Sequence, residues 1–199
     1  MSSRGTNTRF LLTVAAIAVA GGLIGIPNAY LFNALSFTQP WALGIAAAFY
    51  IIPGMLAQAI LRRGGVGLLA QVLAGLAAAP FVPTGILSVS AFAILGLLIE
   101  IPFLVGLYRY WRPWLFYVSG AWVAAFYSLF WGVFYNTPSL GTFVLVMQPV
   151  LLLVGMAVAT TIALVVARLV ERTGVLRGIR APEDRRRTRT PTAPVPDPS

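Results

Sequence analysis

Glu100 is the one ionisable residue set deep within a long apolar run, in the stretch Gly96-Leu97-Leu98-Ile99-Glu100. A charge inside a membrane span is costly, so such a residue must face a cavity or a partner. It can accept hydrogen bonds from a ligand or act as counter-ion to a cation; equally, it can be a hydrogen-bonded structural glutamate. Gln58, Gln71 and Gln148 lie in other apolar runs, with Gln71 at a depth similar to that of Glu100. Each amide both donates and accepts, which suits a heterocycle and equally suits contacts between helices. Gly120, Ala124, Tyr127, Trp131 and Tyr135 recur at spacings of three and four and so share one helix face. An aromatic face suits stacking on a planar ligand or holding a cation over a ring, or else an interfacial belt.

Much chemistry is excluded. There is no Cys and no His, so thiol catalysis, disulfides and the common metal sites have no residues to use. The 14 cations are all arginine, which leaves no lysine for a Walker-type site or a Schiff base. The acids are Glu100, Glu171, Glu183, Asp184 and Asp197 only. The chain reads as a non-enzyme, with no cofactor and no metal site.

The elements that position these residues follow from hydropathy. Of 199 residues, 59% are hydrophobic and 10% charged, against about 25% charged in a soluble domain. A spanning helix needs roughly 20 mostly apolar residues. Six segments qualify, at about 10–31, 41–61, 66–82, 85–107, 113–134 and 141–169, the third short and rich in Gly and Ala. Pro27-Asn28, Thr38-Gln39-Pro40, Pro83-Thr84-Gly85 and Asn136-Thr137-Pro138 supply turn chemistry between or near them. The expected fold is an all-α integral membrane protein, a bundle of six transmembrane helices. Residues 28–41 form the longest outer connection and the natural lid. Tyr108, Tyr110, Trp111 and Trp114 read as interface anchors.

Arginine placement orients the bundle. Arg4 and Arg9 precede the first segment, Arg62 and Arg63 lie between the second and third, and Arg109 and Arg112 between the fourth and fifth. The other eight end or follow the sixth. With six spans all of them fall on one side, which the positive-inside rule makes cytoplasmic, as are both termini. The first segment is expected to be a span and not a cleaved signal. Residues 1–176 form the membrane domain, and 177–199 a basic, Pro/Thr-rich cytoplasmic tail expected to be disordered. Beside a span, its arginines point to anionic lipid and not to nucleic acid.

Three stretches carry a family resemblance. They are Arg62-Arg63-Gly64-Gly65-Val66-Gly67-Leu68-Leu69-Ala70-Gln71, the run ending at Glu100, and Val165-Val166-Ala167-Arg168-Leu169 followed by Thr173-Gly174-Val175-Leu176-Arg177-Gly178. With its six spans, the chain resembles a substrate-binding (S) component of an energy-coupling factor (ECF) transporter, of the hydroxymethylpyrimidine/thiamine permease YkoE type. The resemblance covers about residues 50–179. It implies a multi-pass protein of the bacterial cell membrane that binds thiamine or its hydroxymethylpyrimidine precursor. A transmembrane coupling protein and ATPase subunits of this ABC transporter would supply the energy. Glu100 would recognise the ligand, with Gln71, Tyr127, Trp131 and Tyr135 beside it. Ala16 and Ala20, small residues on the first helix, would meet the coupling protein. An S component for another vitamin, a non-transporting membrane scaffold and a small proton-coupled carrier using Glu100 stay open as alternatives.

Overall fold

The computed structural model describes residues 3–134 and 140–173, without the side chains of residues 3–7 and 9. All regular elements among them are helical. They are α1 (Ser3–Thr38), α2 (Leu43–Phe49), α3 (Ile52–Leu61), α4 (Val66–Ala78), α5 (Leu87–Val105), α6 (Pro113–Phe134) and α7 (Thr142–Arg172). Single 3-10 turns at Pro40–Ala42 and Ala79–Phe81 precede α2 and follow α4. Five stretches are long and apolar enough to cross a bilayer: Phe10–Thr38, Pro40–Leu61, Leu87–Val105, Pro113–Phe134 and Thr142–Arg172. The apolar stretch Val66–Phe81 is shorter.

Two differences from the sequence reading have clear causes. The expected lid at 28–41 is helix as far as Thr38. Pro27 sits inside α1 without ending it. The polar residues read as loop bond back onto their own helix: Ser36 Oγ donates to the Phe32 carbonyl and Thr38 Oγ1 to that of Ala34, both at 2.8 Å. Asn28 instead reaches across, its Nδ2 donating to the Ala46 carbonyl at 2.9 Å. The second segment, expected to be continuous, is broken at Tyr50-Ile51. Pro53 lacks an N–H and its ring crowds the carbonyl four residues earlier, so α2 cannot run straight into α3. Tyr50 and Ile51 donate instead to the carbonyls three residues back, at 3.1 and 3.3 Å.

The chain runs back and forth between two ends. At one end the Arg63 guanidinium lies 5.1 Å from the Phe10 ring. There Arg62 also stands 3.9 Å from Glu171, and a Cβ added to Gly64 would meet the Tyr108 ring at 3.0 Å. The start of α1, the α3–α4 and α5–α6 turns and the end of α7 therefore meet there, with Arg62, Arg63, Arg109, Arg112, Arg168 and Arg172 among their residues. At the opposite end Tyr30 donates to the Phe81 carbonyl at 3.0 Å, and Trp41 meets Phe143 edge-on at 5.8 Å.

Lipid tails are as apolar as leucine, so packing and polar contacts must hold the helices together. Small residues set the closest approaches. A Cβ on Gly44 of α2 would lie 2.5 Å from the Leu152 nitrogen of α7, and one on Gly155 would lie 2.8 Å from Ala48 Cβ. Gly44→Val should therefore force α2 from α7 and cost roughly 1–3 kcal/mol. Thermal unfolding in detergent should show a lower midpoint than wild type. Ile45→Ala, at an exposed neighbouring position, should leave that midpoint almost unchanged.

Candidate functional site

A cavity of about 350 Å³ lies between α1, α2, α4, α5, α6 and α7, at the end away from the arginines. Volumes of this order hold small organic ligands. Small residues open it: Gly25 and Ala29 on α1, Ala47 on α2, Ala78 on α4 and Ala91 on α5. Aromatic rings wall it. Phe126, Phe130 and Phe134 recur every fourth residue along α6 and stack at 6.3 and 5.7 Å, nearly parallel. One turn face further round, Tyr127 and Trp131 meet at 5.4 Å. Ring contacts then continue from Trp131 to Phe32 at 5.6 Å, from Phe32 to Tyr50 at 6.1 Å, and from Tyr50 to Phe92 at 5.4 Å. Each such pair adds about 0.5–1.5 kcal/mol beyond burial, so the wall is largely preformed.

Among the described residues, no Asp, Glu or Arg lines the cavity. Its polar groups are few. Ser88 spends its proton on the Gly85 carbonyl at 2.7 Å. The Tyr50 hydroxyl lies beside the Asn28 side chain. Among the described residues, neither the Tyr127 hydroxyl nor the Trp131 indole N–H makes a hydrogen bond, so both remain free to donate to a ligand.

Glu100 is not among the lining residues. It is 6% exposed, and its carboxylate accepts from the Gly67 N–H through Oε1 and from the Tyr108 hydroxyl through Oε2, both at 2.8 Å. The first turn of any helix has N–H groups without intrahelical partners. Gly65, the residue preceding α4, has φ +80° and no side chain to cap it. A carboxylate from α5 therefore takes the place of a local N-cap, where the helix dipole also favours negative charge. Tyr108 lies outside the spanning segments and was expected to be an interface anchor. It turns inward instead, its hydroxyl facing the Gly65 amide. Burial, with the Glu100 hydrogen bond and charge, pushes its phenol up to about 12. Trp111 also packs inward, stacked on Phe103 at 5.4 Å. Tyr110 and Trp114 remain exposed, as anchors should.

The residues read from the sequence are thus divided. Tyr127 and Trp131 line the cavity, with Gly120 and Ala124 buried deeper on the same helix. Gln71 lies behind the cavity wall, its Nε2 donating to the Tyr50 carbonyl at 2.8 Å. Glu100 is more than one turn beyond Leu95, among the last lining residues of α5. Tyr135 falls outside the described residues. Ala16 and Ala20 are exposed on α1. Phe32, Tyr50 and Phe92 were missed, because pairing across three helices leaves no spacing in the sequence. The i, i+4 ladder of Phe126, Phe130 and Phe134 was readable.

The arrangement matches a known fold. A solved structure described as "Crystal structure of an S-component of ECF transporter" superposes with a TM-score of 0.78 at 17% identity, covering 91% of this chain and 93% of that one. The fold is that of an S component. The family model for "ABC-type cobalt transport system, permease component" matches residues 10–126, and the chain belongs to that family. No curated protein matches it. It is a multi-pass protein of the cell membrane.

The Glu100 clasp can be tested by unfolding. Glu100→Ala strands two donors and should cost roughly 3 kcal/mol, read as a lowered melting midpoint in detergent. The Tyr108 phenol titrates higher when folded than when unfolded. Its contribution is therefore full below about pH 10 and is lost as pH rises towards about 12. Between those values wild type should lose stability more steeply than Tyr108→Phe; parallel pH curves would refute the contact.

Proposed function

We propose that this chain is the membrane-embedded substrate-binding component of an ECF-type ABC transporter, taking up thiamine or its hydroxymethylpyrimidine precursor. The carrying observation is the ring-walled cavity within an S-component fold. A flat heterocycle of this kind offers ring faces to stack and acceptor atoms for the Tyr127 hydroxyl and the Trp131 indole N–H. A thiazolium would be held by ring faces alone, as cation–π contacts allow. The uncharged wall favours the neutral pyrimidine of the two. Glu100 and Gln71 support the wall from behind and do not touch the ligand in this reading.

The family's name speaks of cobalt, but the donor set does not suit that cargo. The chain lacks His and Cys, and no cluster of three or more metal-ligating side chains occurs among the described residues. Transition ions select imidazole and thiolate ligands, or converging carboxylates.

The membrane placement is part of the same proposal. Val66–Phe81 makes the sixth crossing, and the arginine-bearing end, with both termini, faces the cytoplasm. The exposed Ala16 and Ala20 offer α1 as a close-packing surface for a coupling protein, which would bring the ATPase subunits.

Calorimetry on purified protein with thiamine and with hydroxymethylpyrimidine tests the ligand. At least one should bind at micromolar concentration. Trp131→Ala should weaken it at least tenfold and Tyr127→Phe about tenfold, while Glu100→Gln retains it. Silence from both compounds would end the ligand assignment. Failure to copurify with a coupling protein and ATPases would separately end the assignment as a transporter component and favour a scaffold.

A further inference from the structure

The interface of α3, α4 and α5 contains buried polar atoms that nothing among the described residues satisfies. Gln58 is 0% exposed, and neither its Oε1 nor its Nε2 has a partner. Gln71 is also 0% exposed, and its Oε1 has none. These atoms are not scattered. A Cβ on Gly67 would lie 3.1 Å from Glu100 Oε1 and 3.4 Å from Gln58 Nε2, so both side chains converge on the bare flank of that glycine. One helical turn away, Gly54 and Gly96 make the room for Gln71. The two layers are in register, since positions 54 and 58, 67 and 71, and 96 and 100 are each four apart on their helices. Glycine faces polar side chain in both layers.

Dry, such a seam would be heavily penalised, because buried donors and acceptors lose water and gain nothing. The unsatisfied set contains a donor, Gln58 Nε2, and the acceptors Gln58 Oε1 and Gln71 Oε1. A cation would serve the acceptors and leave the donor stranded. Water serves both, and buried water characteristically bridges otherwise unpaired polar groups.

We propose that Gln58, Gln71 and Glu100 line a hydrated seam between α3, α4 and α5. It runs from the Tyr108–Glu100 contact at the arginine end to the Tyr50 carbonyl behind the ligand cavity.

Two measurements test this. Gln58→Met keeps the size of the side chain and removes both polar atoms. If the seam is wet, the midpoint of thermal unfolding should fall by about 3 °C; if the amide is dry, it should rise. The chain has no cysteine of its own, so Gln58→Cys places one reporter in the seam. In proteoliposomes, aqueous silver ion should modify Cys introduced at Gln58 at least tenfold faster than Cys introduced at lipid-facing Val154, by mass spectrometry. Either a Met variant that melts at or above wild type or an unreactive thiol overturns the proposal. If Gln58→Met does not fold, the silver measurement decides.

Discussion

The carboxylate of Glu100 holds the first turn of α4, and much of the bundle hangs on that contact. α4 is 13 residues long and begins after a glycine that cannot cap it. Packed against α5, that helix end needs an acceptor for its first N–H groups. Glu100 supplies the missing acceptor from another helix, and Tyr108 completes the site from the α5–α6 turn. The contact fixes α4 against α5 at the arginine end. The far ends of the same two helices border the ring-walled cavity, with Ala78 on α4 and Ser88 and Phe92 on α5.

That arrangement separates two tasks. The polar work that holds helices together is done at one end and along the α3–α4–α5 interface. The cavity at the other end is left to rings and small side chains. Without a fixed charge among its described lining residues, the cavity offers its shape, ring faces and two donors on α6. Of the few acids in the chain, the one deep within a spanning segment bonds to the start of α4.

Most of the helices were legible in the sequence. The fifth apolar run, 113–134, coincides with α6, and the turns at Arg62–Gly65 and Pro83–Gly85 fall where arginine, proline and glycine place them. Sequence and structure part where polar residues stand inside a helix. Ser36 and Thr38 satisfy themselves one turn back along α1, so they cost the helix little. Pro53 was hidden in an otherwise unbroken apolar run, yet it divides α2 from α3 and turns the Tyr50 carbonyl towards Gln71.

The site was legible only in part. Spacing along α6 placed Tyr127 and Trp131 on one face, because helical periodicity is a property of the local chain. The sequence alone determined the membrane class, the lack of Cys, His and Lys, and the clustering of arginines between apolar runs, all of which follow from composition and order. Only the tertiary structure decided which groups Glu100 bonds to. Its rarity marked it as important, but a carboxylate in hydrocarbon takes whichever donors reach it. Here those are an amide 33 residues earlier and a phenol eight residues later. It likewise decided which rings enclose the cavity, since Phe32, Tyr50 and Phe92 meet only when three helices pack.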